Sequence, residues 1–351
     1  FYRRTHLWTA VGAALGTGVL VGALVVGDSV RESLRRLSLL RLGETHFALD
    51  AGDRFLRAGI ADELTEATGG VTAPVVRVHG VAVSPDTDKR LNQVQILGVD
   101  DRFGRLSQAG NAPLEPKPGD VWLNTRAADA LNAAPGSTVV IRLDRPGILP
   151  REAPLSTVKD RRLGLRCRVA GVLSDDQAGR FSLRASQIPP HTAVLQREWL
   201  ASKLGRPGRA NLLLATPKGD PACTLSGLRE ALASHLTLTD TALSIRELSD
   251  RGQWELRSDS VFIPSSVAEA ALAPNLRGYP VFTYFADAVK AGSRETPYSF
   301  IAGVTEKHIG VPLGDEGIAI NAWLAEDLDA GTGDTIELSY RVFGPLRSLE
   351  R

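Results

Sequence analysis

The residues able to do chemistry in this 351-residue sequence are few and scattered. Cys167 and Cys223 are its only thiols, too few for a disulfide framework and wrongly spaced for a redox or zinc motif. Cys167 alternates with Leu165 and Val169 in LRCRV, which sets it on the apolar face of a strand, so two buried free thiols are expected in preference to a bridge. His46, His79, His191, His235 and His308 are isolated from acids at metal-ligand spacing and read as surface or satisfied core histidines. No Gly-rich phosphate loop with its Lys and Ser or Thr occurs, so nucleotide hydrolysis is not assigned to this chain. His-Glu-x-x-His and Gly-x-Ser-x-Gly are missing too, and GDSVR around Ser29 lacks the second glycine of a nucleophile elbow. Charged islands such as DRF and QREW read as solvated faces. An anchored hydrolase therefore has no motif behind it, and no catalytic, cofactor-binding or metal residue is expected.

Composition bounds the class. An apolar content of 43% supports a substantial core, and a formal charge of +1 with interspersed acids and bases gives no face for nucleic acid. The sequence contains no Met, so it is expected to be a fragment or to have lost its start.

The residues with the clearest physical demand are Leu7 to Val26, LWTAVGAALGTGVLVGALVV, which carry no charge. About twenty such residues, as a helix rising 1.5 Å each, cross the roughly 30 Å hydrocarbon core of a bilayer. Gly12 and Gly16, then Gly18 and Gly22, repeat the small-xxx-small spacing by which membrane helices approach closely, so helical neighbours are expected. A cleaved secretory signal is the competing reading, since Arg3 and Arg4 precede the run. Signal cores usually hold about 7 to 15 apolar residues, and no Ala-x-Ala site follows Val26. Behind Gly27, Val30, Leu34 and Leu37 keep a helical stripe, which extends the membrane helix into a stalk. Ser29 and Glu32 alternatively have capping-box spacing and would start a fresh helix. The expected organisation is an anchor over 1–27, a stalk over 28–44 and a folded body over 45–351.

Within the body, Thr45 to Leu49 reads as a strand, and Leu56, Ile60 and Leu64 as a helix stopped by Gly69 and Gly70. PVVRVHGVAVS and LNQVQILGV form a hairpin across Pro85 to Asp88. Pro146 to Asp160 reads as a loop and a candidate subdomain boundary. Strands at Leu165 to Leu173, Ala193 to Leu195, NLLLA, Trp254 to Arg257 and Val261 to Ile263 alternate with helices at Arg197 to Leu204, Leu225 to Leu236 and Val267 to Leu272. Such short alternation predicts α+β, with a mixed α/β body behind the helix.

One unit is duplicated. NTRAADALNAAPGSTVVI from Asn124 and NAWLAEDLDAGTGDTIEL from Asn321 share six of eighteen residues, against roughly one by chance. Each predicts a strand ending at Asn124 or Asn321, a short helix buried through Leu131 or Leu328, a turn at Gly136 or Gly333, and a returning strand. Upstream, VQILGVD and SFIAGVT form a second matching pair.

Taken together, the anchor, GDSVRESL, QILGVDDRF, the repeated unit, TYFADAVKAG and TPYSFIAGV resemble FtsX-like ABC transporter permeases with a MacB-like periplasmic core domain. The resemblance covers nearly the whole chain, and its motifs describe packing, not catalysis. It implies a dimeric permease of the bacterial inner membrane, formed with a second copy or a paralogue, with the residues after about 27 in the periplasm. It implies an ABC ATPase in the cytoplasm, separate or fused, that holds the ATP and magnesium. It also implies a periplasmic client or adaptor: a lipoprotein, peptide, drug or cell-wall enzyme. No second apolar span precedes Arg351, so the later membrane helices of such a permease lie outside this sequence. A single-span anchored binding or adhesion module is the alternative.

Overall fold

The computed structural model describes residues 2–107, 114–144, 162–184, 186, 188–217, 223–258, 263, 265–273, 275–314, 316–343 and 349–350. The apolar stretch and the polar run behind it form one helix, α1 (Arg3–Leu42), of 40 residues. At 1.5 Å per residue it reaches about 60 Å, twice the thickness of a bilayer core. Gly27 does not break it, and Ser29 does not start a second helix. The hydroxyls of Ser33 and Ser38 donate one turn back to the carbonyls of Ser29 and Leu34, and Glu32 is taken up by Arg36 at 3.0 Å. The continuous stalk is thus the alternative realised. It stops at Gly43, whose φ of +58° combined with a ψ of −130° suits only a residue without a Cβ.

The described residues up to 242 make one compact unit. Its elements are β1 (Phe47–Asp50), β2 (Leu56–Arg57), α2 (Ile60–Thr68), β3 (Val71–Ser84), β4 (Lys89–Val99), α3 (Asp101–Gly104), β5 (Asp120–Asn124), α4 (Thr125–Leu131), β6 (Thr138–Asp144), β7 (Arg162–Leu173), β8 (Thr192–Gln196), α5 (Arg197–Lys203), β9 (Arg209–Ala210), β10 (Leu212–Thr216) and α6 (Leu225–His235). Leu56 was expected on a helix with Ile60 and Leu64. It is extended instead and pairs with Ala210, while the helix starts only after Gly59. All three leucine and isoleucine side chains still share one apolar cluster, which is why their spacing imitated a helix. The first strand likewise begins at Phe47, because Thr45 is used in the turn that closes α1, its amide donating to Leu42.

The sheet of this unit runs β1-β10-β3-β4-β8-β5-β7-β6, and β6 also pairs with β3 from Gly80 to Val83, closing a ring through β3, β4, β8, β5, β7 and β6. The closure leaves those six strands without a free edge along it. β4 pairs with β8, and β5 with β7, in parallel within an otherwise antiparallel sheet, and α4 lies on the connection from β5 to β7. Ile96, Leu123, Leu131, Ile141, Leu195 and Leu200 are the large side chains of the main core, joined by Cys167. Both thiols are buried and unbridged.

The described residues from 243 on form a second unit, with β11 (Leu243–Leu248), β12 (Gln253–Ser258), α7 (Ser265–Ala271), β13 (Phe282–Ala291), β14 (Arg294–Gly303), α8 (Glu306–Ile309), α9 (Ala322–Leu328), β15 (Ile336–Tyr340), β16 (Val342–Phe343) and β17 (Leu349–Glu350). Strands β14, β13 and β15 make its main sheet, packed through Ala286, Val289 and Leu328. The strand expected at 261–263 falls almost wholly outside the described residues. The loop and boundary expected over 146–160 lie outside them entirely.

The duplicated unit is present twice as hairpin, helix and returning strand: β3, β4, α4 and β6 in the first copy, β13, β14, α9 and β15 in the second. Strand order agrees, β4-β3-β6 against β14-β13-β15. One expectation is corrected: no strand leads into Asn321, and residues 317–320 run without ladder partners. Their counterpart β5 forms because β7 and β8 flank it; the second unit supplies neither neighbour among the described residues.

Candidate functional site

The place where the apolar helix enters the folded body is the candidate functional site. Arg41, in the last turn of α1, is 6% exposed, and its guanidinium donates to the carbonyl of Ser186. A buried guanidinium needs such partners, since desolvating a charge without hydrogen bonds is costly. The next residues continue the grip. The Glu44 amide donates to Leu106 at 2.9 Å, and the His46 amide to Ala215 at 3.0 Å. Leu40, Arg41, Leu42 and Gly43 border a small void whose opposite wall is Phe103, Leu106, Ala178 and Phe181. Phe103 and Phe181 meet edge to face with centroids 5.3 Å apart, and both are buried.

Phe103 is held there by the phrase DDRF. Asp100 caps the short helix α3 by accepting from the Arg102 amide, and Arg102 pairs with Asp100 at 2.6 Å and with Asp62 at 2.5 Å. Reading DRF as a solvated face was therefore wrong: its aromatic ring faces inward beneath the helix end. QREW departs in the same way, since Trp199 packs against the main core and Glu198 accepts from the Gly208 amide at 3.0 Å.

The segment that receives Arg41 is fastened from the other side by α4. Arg126 donates to the carbonyl of Pro189, and Asn124 donates to those of Pro190 at 2.9 Å and Gly179 at 2.8 Å. The Asn124 carbonyl oxygen accepts from the Ala127 amide at 3.1 Å and from the Thr192 amide at 3.0 Å. The helix end and the first copy's helix thus hold one short segment between them.

Asn321 caps α9 through the Leu324 amide at 2.8 Å. Leu131 and Leu328 are buried beneath their helices, and Gly136 and Gly333 turn at φ +96° and +99°. Gly12, Gly16, Gly18 and Gly22 are exposed on α1, with nothing of this chain within 4 Å of where a Cβ would stand. The two glycine pairs point to faces roughly 120° apart around the helix.

Elsewhere, burial shifts the titration of Cys167 and His191. Burial, with Asp120 nearby, pushes the Cys167 thiol up to about 12. Burial and the Arg126 cation hold His191 below the ordinary histidine range, so it is neutral at pH 7. Among the described residues no group of three or more His, Cys, Asp or Glu side chains could hold a metal ion. Sequence reasoning missed Arg41 and Ser186, which carry no local motif; only Phe103 had a usable signal, an aromatic ring within a charged island.

Among solved structures, the periplasmic region of MacB from Actinobacillus actinomycetemcomitans matches at 12% identity over 67% of this chain and 96% of its own, with a TM-score of 0.37. The extracellular domain of the noncanonic ABC-type transporter YknZ from Gram-positive bacteria matches at 9% over 60% and 97%, with a TM-score of 0.33. No curated protein matches the sequence. The match to the MacB-like periplasmic core domain runs over residues 7–222, more than half of the chain and the whole of the joint just described. By that match the chain belongs to the MacB-like periplasmic core domain family, the periplasmic part of MacB/FtsX-like ABC transporter permeases.

Proposed function

We propose that this domain is the extracytoplasmic end of a mechanical lever. The membrane helix moves in response to ATP hydrolysis by an ABC ATPase in the cytoplasm, which holds ATP and magnesium, and the body passes that motion to a client outside the membrane. The client is a lipoprotein, a peptide, a drug or a cell-wall enzyme. The permease is an inner-membrane dimer, with a second copy or a paralogue across from it and the residues after about 27 in the periplasm. Residues 7–26 meet lipid, and the glycine pairs of α1 seat neighbouring helices.

The observation that carries this reading is the unbroken helix Arg3–Leu42, exposed along its apolar length and locked into the body at Arg41 and Gly43. A stiff helix with a rigid seat transmits a displacement, whereas a flexible tether would absorb it. Val30→Pro with Ser33→Pro interrupts the stalk between the bilayer and the seat, each proline costing roughly 3 kcal/mol of local helix. The assembled permease, with its ATPase, is reconstituted and spin labels on the body report its displacement between ATP-trapped and nucleotide-free states. The body moves in the parent and stays still in the double variant, while ATP hydrolysis persists. A body that does not move in the parent, or moves equally in both, refutes the lever and leaves an anchored binding or adhesion module.

A further inference from the structure

Strands β4 and β8 run parallel and end side by side, with Val99 paired to Gln196. From these two ends the chain departs to opposite faces of the sheet. Phe103 of α3 clusters with Leu97 and Val99, whereas Leu200 of α5 clusters with Ile96 and Leu195, which alternate with them along the strands. Gly98 lets α5 lie close on its face: a Cβ there would stand 3.1 Å from the Arg197 Cα and 3.0 Å from the Leu200 side chain. Diverging exits at the carboxyl ends of neighbouring parallel strands open a crevice, and in α/β sheets such crevices are where ligands bind.

A cleft of about 370 Å³ lies at this place, inside the range of roughly 300–1,000 Å³ usual for small-molecule sites. Among the described residues its walls come from both exits, 99–101 and 196–198, and from 115–118. Most of its charges are already committed. Asp100 pairs with Arg102 at 2.6 Å and Asp101 with Arg105 at 2.7 Å, while Glu198 accepts from the Gly208 amide at 3.0 Å and from Arg197 Nη1 at 3.2 Å. Three groups are not. The Arg197 side chain is 17% exposed, and its Nε is buried without a hydrogen-bond partner among the described residues. Glu115 and Lys117 are exposed and form no hydrogen bond or ion pair among the described residues. A buried guanidinium N–H lacking an acceptor is costly, so one lining an open cleft suits an acceptor brought from outside the chain.

We propose that this cleft binds the carboxylate of a small zwitterion of dipeptide size, either a free dipeptide or the C-terminal end of a longer peptide. The Arg197 guanidinium receives the carboxylate, since its planar fork matches that group and one of its arms is still unpartnered. Lys117 supplies the second cation at the mouth of the cleft. Glu115 is the one uncommitted acid there and takes the ammonium group when the ligand is a free dipeptide. The remaining acids do not repel the carboxylate strongly, because each is neutralised by a partner or donor of its own. The site is independent of the lever and stands or falls without it.

Calorimetric titration of the detergent-solubilised chain with dialanine tests this, and a Kd of about 1 mM or tighter is expected. The C-terminal amide of dialanine lacks the carboxylate and should bind at least about tenfold more weakly. Arg197→Lys keeps the charge but loses the fork, and should weaken dialanine binding about tenfold. Lys117→Gln alters an exposed side chain that packs against nothing, so it leaves the fold intact and should weaken binding about threefold. Tetraalanine binding as tightly as dialanine supports a peptide end as the ligand. Binding of dialanine alone, lost on N-acetylation, supports the free dipeptide held through Glu115. No binding of either peptide, equal binding of dialanine and its amide, or an affinity unchanged in Lys117→Gln and Arg197→Lys overturns the proposal.

Discussion

Asn124 and Asn321 hold the same position in two copies of one structural unit, and what surrounds them differs. Each caps its helix through the amide three residues on, at 3.1 Å and 2.8 Å. Each helix ends on a left-handed residue, Asn132 or Asp329, both at φ +52°. Asn124 is buried in a closed ring and makes three more hydrogen bonds, to Gly179, Pro190 and Thr192. Asn321 is exposed, and the cap is the one side-chain bond seen for it among the described residues. Local sequence therefore fixes the shape of the unit, while neighbours fix how much each residue contributes.

The largest expected effects lie in the two leucines. Leu131 belongs to the main core of the first unit, and Leu328 to a smaller cluster with Ala286 and Val289. Leu131→Ala should cost about 3–5 kcal/mol and Leu328→Ala about 2–3 kcal/mol, the denser surroundings relaxing less around the cavity. Amide exchange followed separately in each unit measures both, because a chain of two compact units need not unfold in one step. Equal costs would mean that the second copy is as enclosed as the first.

The asparagines come next. Asn124→Ala strands buried partners on both sides, and about 3 kcal/mol is expected; Asn321→Ala removes an exposed cap, worth about 1 kcal/mol. The same substitution also loosens the segment that receives Arg41. Exchange at the amides of 186 and 188 should therefore quicken in Asn124→Ala, and stay unchanged in Asn321→Ala.

Glycines sharpen the comparison by separating what is local from what is not. Gly136 and Gly333 both have positive φ and open space where a Cβ would stand. Alanine at either should cost about 1–2 kcal/mol, equally in the two copies, because the strain resides in the backbone alone. Gly171 is different. A Cβ there would sit 2.4 Å from the Trp122 ring, on strands the second copy does not show. Gly171→Ala should perturb the first unit by overpacking, read from Trp122 emission, and leave the second untouched.

These contrasts explain what the sequence disclosed. The unit was legible because Asn, Leu and Gly at fixed offsets report local geometry: a cap, a buried helix face and a left-handed turn. Ring closure was not, because the pairing of β3 with β6 joins residues about sixty apart and leaves no periodicity to read. The leading strand expected before Asn321 from the match to Asn124 is missing although Ile318 and Ile320 alternate there, since alternating apolar residues propose a strand but neighbours decide it. Arg41 escaped notice for a similar reason. An arginine at a helix end normally interacts with the last carbonyls and water, and only the tertiary seat buries this one.

Acid should distinguish the two units through one carboxylate, and this is the smallest effect expected. Asp240 is buried and accepts from the Arg57 amide at 2.8 Å, the Thr237 hydroxyl at 2.8 Å, the Thr237 amide at 3.0 Å and the Arg57 guanidinium at 2.9 Å. Burial alone would raise its pKa; these hydrogen bonds outweigh it and hold the carboxyl below the ordinary aspartate range. The unfolded chain then binds the proton more readily than the folded one, so the stabilisation is complete above the unfolded value of about 3.9 and is lost as pH falls through the folded value. In the second unit, Asp287 with Arg341 and Glu295 with Lys290 are ion pairs open to solvent on at least one side, which screening weakens. Lowering the pH from about 5 to 3 should therefore speed amide exchange in α2 and around 237–241 before it affects β13 and β14. Asp240→Asn keeps the side chain's shape and removes the titrating group, so it should lower stability at pH 7 and flatten the first unit's dependence below pH 4. An unchanged slope in that variant would assign the acid response to other carboxylates and remove Asp240 from the comparison.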